Sequence, residues 1–324
     1  MPFKKTLSFL IKIVIVFLSL FFIYHELIDQ RNSNSLDLSS IFLNIQSKYL
    51  IILSVFCMMF LNWFIESYKW KFMIGKLEKI SLTTSLQAIF SGITVSSFTP
   101  NRIGEYGGRV FCLESCNRIQ AVVITVLGSM AQLLTTLIFG SLAFFLLHDS
   151  INTKLFFSLE FEISTNILLL IFLINFFLVF LFFRVSIFVD YFDRFKYFSF
   201  LKKYTSVLSK FSSKELAFVF FLSIIRYFVF SLQFLILLNV FDVNISFYTS
   251  MLSIMLIFLF MTLTPTVAIT EIGVRGSVAL LVLGIFSNNI VGILSSTVVL
   301  WIINLIIPAI IGSLFIFNLK FFRK

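Results

Sequence analysis

Of 324 residues, 59% are hydrophobic and 12% are charged, against about 45–50% apolar and about 25% charged in a soluble globular domain. Such a chain belongs in a bilayer, and at about 20 apolar residues per spanning helix it has room for about six to eight spans. The longest polar stretch, Arg184 to Lys214, falls short of the roughly 40 residues below which an unstapled fold is rarely stable, so a sizeable soluble domain is excluded. The net charge of +10 reads as the loop bias that orients a multi-span protein rather than as a nucleic-acid surface.

In chain order, Lys4, Lys5 and Lys12 surround an apolar run from Leu7 to Ile28, too long for a signal-peptide core and without a small-residue cleavage site, which predicts a retained first helix. Further spans are expected over Tyr49 to Tyr68, Ile119 to Leu147, Ile163 to Phe183, Leu216 to Leu238 and Ile290 to Phe317. Basic residues follow the second span (Lys69, Lys71, Lys76, Lys79), the fourth (Arg184 through Lys214) and the last (Lys320, Arg323, Lys324). By the positive-inside bias these segments, and both termini, face the cytoplasm. A bacterial-type cytoplasmic membrane is the expected location.

Two segments break the simple alternation of sides. Ser81 to Phe98 must begin and end inside, and Tyr248 to Phe286 must begin and end outside, so each is expected as a re-entrant hairpin. The predicted architecture is an all-α polytopic membrane protein, about six full spans plus two broken-helix hairpins in inverted-topology repeats. It forms a single membrane domain over 1–324. Residues 1–48 hold the first helix and outer loop, and 49–147 the first repeat with its hairpin at 81–116. Residues 163–214 hold the connecting helix and basic loop, and 216–317 the second repeat with its hairpin at 248–286.

The repeat is visible in the letters. Placing Ser81 on Ser246 without gaps aligns Thr84 with Thr249, Ser85 with Ser250, Ile89 with Ile254, Thr99 with Thr264 and Pro100 with Pro265. A Glu then an Arg four residues later follow in each copy, Glu105 with Arg109 and Glu271 with Arg275. The breakers Pro100, Gly104, Gly107 and Gly108, and then Pro265, Gly273 and Gly276, gather where the hairpins would turn. Inverted repeats of broken helices place a site near the bilayer midplane, with half-helix N-termini facing anionic groups.

Charges at bilayer depth cost at least about 2.5 kcal/mol each on insertion scales and commonly mark a substrate path. The candidate substrate-binding residues are therefore Arg102, Glu105, Arg109, Glu271 and Arg275. At i and i+4, each Glu and Arg share a helix face, so intrahelical ion pairs that merely shape the hairpins are the competing explanation. Arg102, without a counterpart, is either an extra phosphate contact or a snorkelling side chain. Asn62 with Glu66 and Arg226 with Gln233 are expected to make interhelical hydrogen bonds, and Trp63, Tyr68 and Trp70 to be interfacial anchors. Three cysteines and two histidines form no metal-ligand cluster, and neither a nucleophilic triad nor a P-loop is present, so no metal or cofactor is expected.

At Pro100, Gly104-Glu105 and Arg109, and again at Pro265, Glu271, Gly273, Val274 and Arg275, the sequence resembles the lysylphosphatidylglycerol synthase transmembrane-region family of flippase-like membrane proteins. It departs at Gly276, where the family often has an acidic residue, and at Thr266, which follows Pro265 in place of glycine. The resemblance covers the chain from about Leu50 onward and implies lipid translocation, with membrane lipids as partners through an anionic phospholipid or lipid-linked headgroup. The chain ends at Lys324 just past its last expected span, so a synthase or glycosyltransferase is expected as a separate partner. Two other readings stay open at this stage. One is an intramembrane lipid transferase using Glu105 or Glu271 as general base, and the other a proton-coupled transporter of a small anion.

Overall fold

The computed structural model describes residue 17 and residues 45–99, 102–148, 165–187, 202–264 and 268–317. Over these residues the regular structure is helical throughout. Four helices are long and apolar enough to cross a membrane: α1 (Tyr49–Ile74) and three described below. At 1.5 Å per residue its 26 residues reach about 40 Å, beyond the roughly 30 Å hydrocarbon core.

Next come two short helices, α2 (Leu82–Ser96) and α3 (Gly104–Val110), then the long α4 (Arg118–Leu146). The start of α4 is marked by Asn117, whose side-chain oxygen accepts the backbone N–H groups of Ile119 and Gln120. The helix α5 (Thr165–Phe183) matches the run expected to begin at Ile163. The long α6 (Ser213–Val240) opens on a capping box, in which Ser212 and Glu215 exchange side-chain to backbone bonds. A second short pair follows, α7 (Phe247–Leu263) and α8 (Ala268–Leu283). The last long helix, α9 (Ile290–Ile316), contains a π-helical segment at Ile302–Ile306 just before Pro308. Pro308 lacks the N–H that would bond Asn304, and a π-turn is one way a helix absorbs such a gap. The first expected helix, Leu7 to Ile28, lies outside the described residues apart from Phe17.

The two short pairs are built alike. Ser81 caps α2 by accepting the Thr84 N–H, and Ser246 caps α7 by accepting the Thr249 N–H. At the far end Thr99 and Thr264 each return a hydroxyl bond to the carbonyl four residues back, on Val95 and Phe260. The aligned residues therefore perform the same local tasks in the two short pairs.

The segments that flank each pair are also bonded to one another. Glu78, just before α2, accepts the backbone N–H groups of Glu114, Ser115 and Cys116, just after α3. Partial burial alone would raise this carboxyl, but the three N–H donors outweigh it and hold it down at about 2. The same segment carries the 2.5 Å pair of Lys76 with Glu215. Around the second pair Lys48 meets Asp242 at 2.8 Å, and the Asn289 amide, just after α8, donates to the carbonyls of Phe241 and Asp242, just before α7.

Close backbone approach holds the first pair together. A Cβ on Gly108 would stand 2.7 Å from the Gly92 Cα, and one on Gly92 would stand 2.9 Å from the Arg109 side chain. In turn α9 lies against α2, where the Thr94 hydroxyl donates to the Ala309 carbonyl at 2.7 Å. Such contacts matter in lipid, where apolar burial drives helix association little and packing with interhelical hydrogen bonds drives it more.

Two expected interfacial anchors are interior instead: Trp63 is 6% exposed and Trp70 is 1%. The Trp70 indole finds its acceptor on another helix, Thr125 Oγ1 at 3.0 Å, so the ring seats between α1 and α4. Only Tyr68 of the three stands exposed.

Candidate functional site

One face of α1 carries Asn62, Glu66 and Lys69, which are neighbours at spacings of four and three residues. Glu66 is 4% exposed and is the centre of the polar interior. Its Oε1 accepts from Arg109 of α3 at 2.8 Å. Its Oε2 accepts from Arg226 of α6 at 3.1 Å and lies 2.7 Å from the Lys69 ammonium. Arg226 also donates to Asn62 Oδ1 and stacks its guanidinium 4.9 Å from the Trp63 ring centre, a contact that gains strength away from water. Three helices are thus tied through a single carboxylate.

The two Glu-Arg pairs form as their i,i+4 spacing predicts. Arg109 donates to Glu105 on α3, and Arg275 donates twice to Glu271 on α8, at 2.8 and 3.0 Å. Arg102 then joins the two short-helix pairs: its guanidinium meets Glu271 at 2.5 Å across 169 residues of sequence. Its backbone sits in the left-handed region at φ 57°, disfavoured for a residue with a Cβ. Arg102, without a counterpart in the second pair, thus cross-links the two short-helix pairs.

These groups border a cavity of about 400 Å³, within the range of small-ligand sites. Its lining includes Glu66, Lys69, Arg102, Glu105, Arg109, Arg226 and Arg275, and Glu271 stands behind two of these cations. Five cations against three carboxylates leave an excess of two positive charges among the described residues. Several bordering residues also hold buried polar atoms without a partner, among them Trp63 Nε1, Tyr227 OH, Trp301 Nε1 and Arg109 Nε. All four can donate hydrogen bonds. A lining with this excess of cations has the chemistry to hold an anion, while Leu133, Phe230 and Phe258 in the same lining tolerate apolar matter beside it.

Of the residues singled out from sequence, Arg102, Glu105, Arg109, Glu271 and Arg275 come together here. Gly104 starts α3, where its N–H donates to Thr99 Oγ1. Gly107 and Gly108 lie within α3, and Gly273 and Gly276 within α8. Pro100 and Pro265 lie outside the described residues. Gln233 is apart from the cavity and donates to the Val55 carbonyl at 2.9 Å, an interhelical bond of the expected kind.

Lys69 corrects the sequence reading. It was expected in a cytoplasmic loop, yet α1 continues to Ile74 and buries Lys69 to 1% exposure, because Glu66 one turn back neutralises it. The signal was available in the i, i+3 spacing of Glu66 and Lys69. The burial of the pair was not.

Among curated proteins, none matches the chain. The family model described as the lysylphosphatidylglycerol synthase TM region matches residues 9–312, and the chain is accordingly a member of that membrane-domain family.

Proposed function

We propose that this protein is a flippase-like lipid translocase that receives the anionic headgroup of a phospholipid or lipid-linked substrate in the cationic cavity and moves it between leaflets. The observation that carries this reading is the excess of two positive charges around a half-open cavity among membrane-length helices. Unbalanced charge is costly in a low-dielectric interior, and an entering phosphate would offset it. Arg109 and Arg275 are the phosphate contacts in this reading, and Glu105 and Glu271 keep them aimed.

The clasps at Glu78 and at Asn289 support re-entrant hairpins entering from opposite faces, and the shared Ser caps support an inverted repeat. Alternating access follows from that arrangement: the hairpins meet at Arg102 and Glu271, so rocking one against the other opens the cavity to either side in turn. A separate synthase or glycosyltransferase would supply the lipid.

The test is reconstitution into vesicles with labelled phosphatidylglycerol. The Arg109→Ala, Arg275→Ala double variant, assayed well below its own unfolding temperature, is expected to lose lipid movement. Undiminished movement overturns the phosphate role. Lipid mass spectrometry of the purified wild type identifies the cargo as the class that the double variant fails to retain.

A further inference from the structure

Beside the charged cavity lies a second, apolar one of about 440 Å³, bordered by Val95 and Phe98 of the α2 end, Tyr106 and Gly107 of α3, Phe111, and Val122 of α4. Tyr106 borders both cavities, so the two adjoin at this side chain. We infer that this groove holds the first segment of an acyl or polyprenyl chain whose headgroup phosphate occupies the cationic cavity, with Tyr106 at the junction of the two. The inference rests on the proposed lipid reading and deepens it: the substrate is recognised by its chain as well as by its charge.

Three observations carry it. The groove presents apolar side chains and glycine backbone, which offer a methylene chain contact without a competing polar partner. Its position beside the cationic site, across Tyr106, matches the order of groups in a lipid, charged head first and chain next. Finally, the glycines of α3 divide by role. Gly104 and Gly108 are spaces already taken, since an added Cβ would stand 2.6 Å from Thr99 Oγ1 and 2.7 Å from the Gly92 Cα. Gly107 is different: the nearest atom to its Cβ would be Phe111 Cε2 at 3.6 Å, an ordinary contact. Packing therefore does not require glycine at 107, and the absence of a side chain there leaves the groove open.

Gly107→Leu fills the groove without touching the charged cavity, and Val122→Phe fills it from the opposite wall should the first variant fold poorly. Trp63 and Trp301 border the cationic cavity, so their fluorescence, with Trp70 replaced by Phe, reports occupancy of the headgroup site. Two probes are titrated into the full chain in maltoside micelles: dioleoyl phosphatidylglycerol, and glycerol 1-phosphate, which has the phosphate and no chain. Each buried methylene is worth about a fourfold change in affinity, so displacing two or three weakens binding on the order of 15- to 60-fold. The expected result is a loss of that size for the phospholipid in Gly107→Leu and Val122→Phe, with glycerol 1-phosphate affinity unchanged. Unchanged phospholipid affinity in a folded filling variant overturns the groove while leaving the lipid reading intact. Equal wild-type affinity for the two probes overturns it as well and points to a free phosphate compound as the ligand. Failure of both probes to bind wild type overturns the lipid reading and the groove together.

Discussion

The two short-helix pairs carry the same Glu and Arg four residues apart and treat them in opposite ways. In the first, Arg109 is the interior member, its side chain 4% exposed against 26% for Glu105, and it is held by two carboxylates. In the second, Glu271 is the interior member at 6% against 19% for Arg275, and it is held by two guanidinium groups. The first pair of helices is also locked by the Gly92 and Gly108 contact, whereas a Cβ on Gly273 of the second would meet nothing within 4 Å. One local motif thus yields an anchored cation on one side and an available one on the other. In the proposed cycle the first pair is the fixed wall, and Arg275 is the cation freer to follow a headgroup.

The largest way to break this contrast is to remove the anchor. Glu66→Ala leaves Lys69, Arg109 and Arg226 clustered without their shared carboxylate, and loss of one partner of a buried ion pair costs about 3–5 kcal/mol. Thermal unfolding in detergent is expected to show that loss. Glu105→Ala, at the more exposed position, is expected to cost far less.

Next in size is a split between the two arginines. Arg275→Ala is expected to weaken phospholipid binding by about 2 kcal/mol, the scale of a hydrogen bond to a charged group, without lowering the unfolding temperature, because Arg102 still answers Glu271. Arg109→Ala is expected to lower both affinity and unfolding temperature. Equal behaviour of the two variants would erase the distinction between a fixed and an available cation.

The glycines sharpen the same comparison. Gly108→Ala drives a methyl into the Gly92 backbone and is expected to destabilise by about 1–3 kcal/mol, as overpacking does. Gly273→Ala has open space in a helix interior and is expected to stabilise by roughly 0.5–1 kcal/mol. Denaturation of the two single variants side by side checks the difference in sign.

The smallest expected effect concerns acid. Glu78 clasps the first pair of helices with a carboxylate, whereas Asn289 clasps the second with an amide that does not titrate in this range. The Glu78 carboxyl sits at about 2, below its ordinary 4.5. A carboxyl depressed in the folded state contributes stability that is complete above about pH 4.5 and fades as pH falls toward 2. The unfolding temperatures of wild type and Glu78→Gln are therefore expected to differ at neutral pH and to converge over that window. A constant gap across it would remove the carboxylate from the clasp.

What the sequence determined by itself is everything local. Hydropathy located the long helices, the Ser81 and Ser246 caps opened the paired short ones, and the i,i+4 spacing formed both Glu-Arg bonds, because each depends on residues within one or two turns. Tertiary structure decided which member of each pair is interior, that α1 carries Lys69 past Tyr68 to Ile74, and that Trp63 and Trp70 pack inward. It also decided the roles of Glu66 and Arg102. Glu66 joins α1 to α3 and α6, and Arg102 meets Glu271 across 169 residues. A charge deep in a membrane is stable only beside its partners, and a partner supplied by another helix leaves no periodic mark on the segment that receives it.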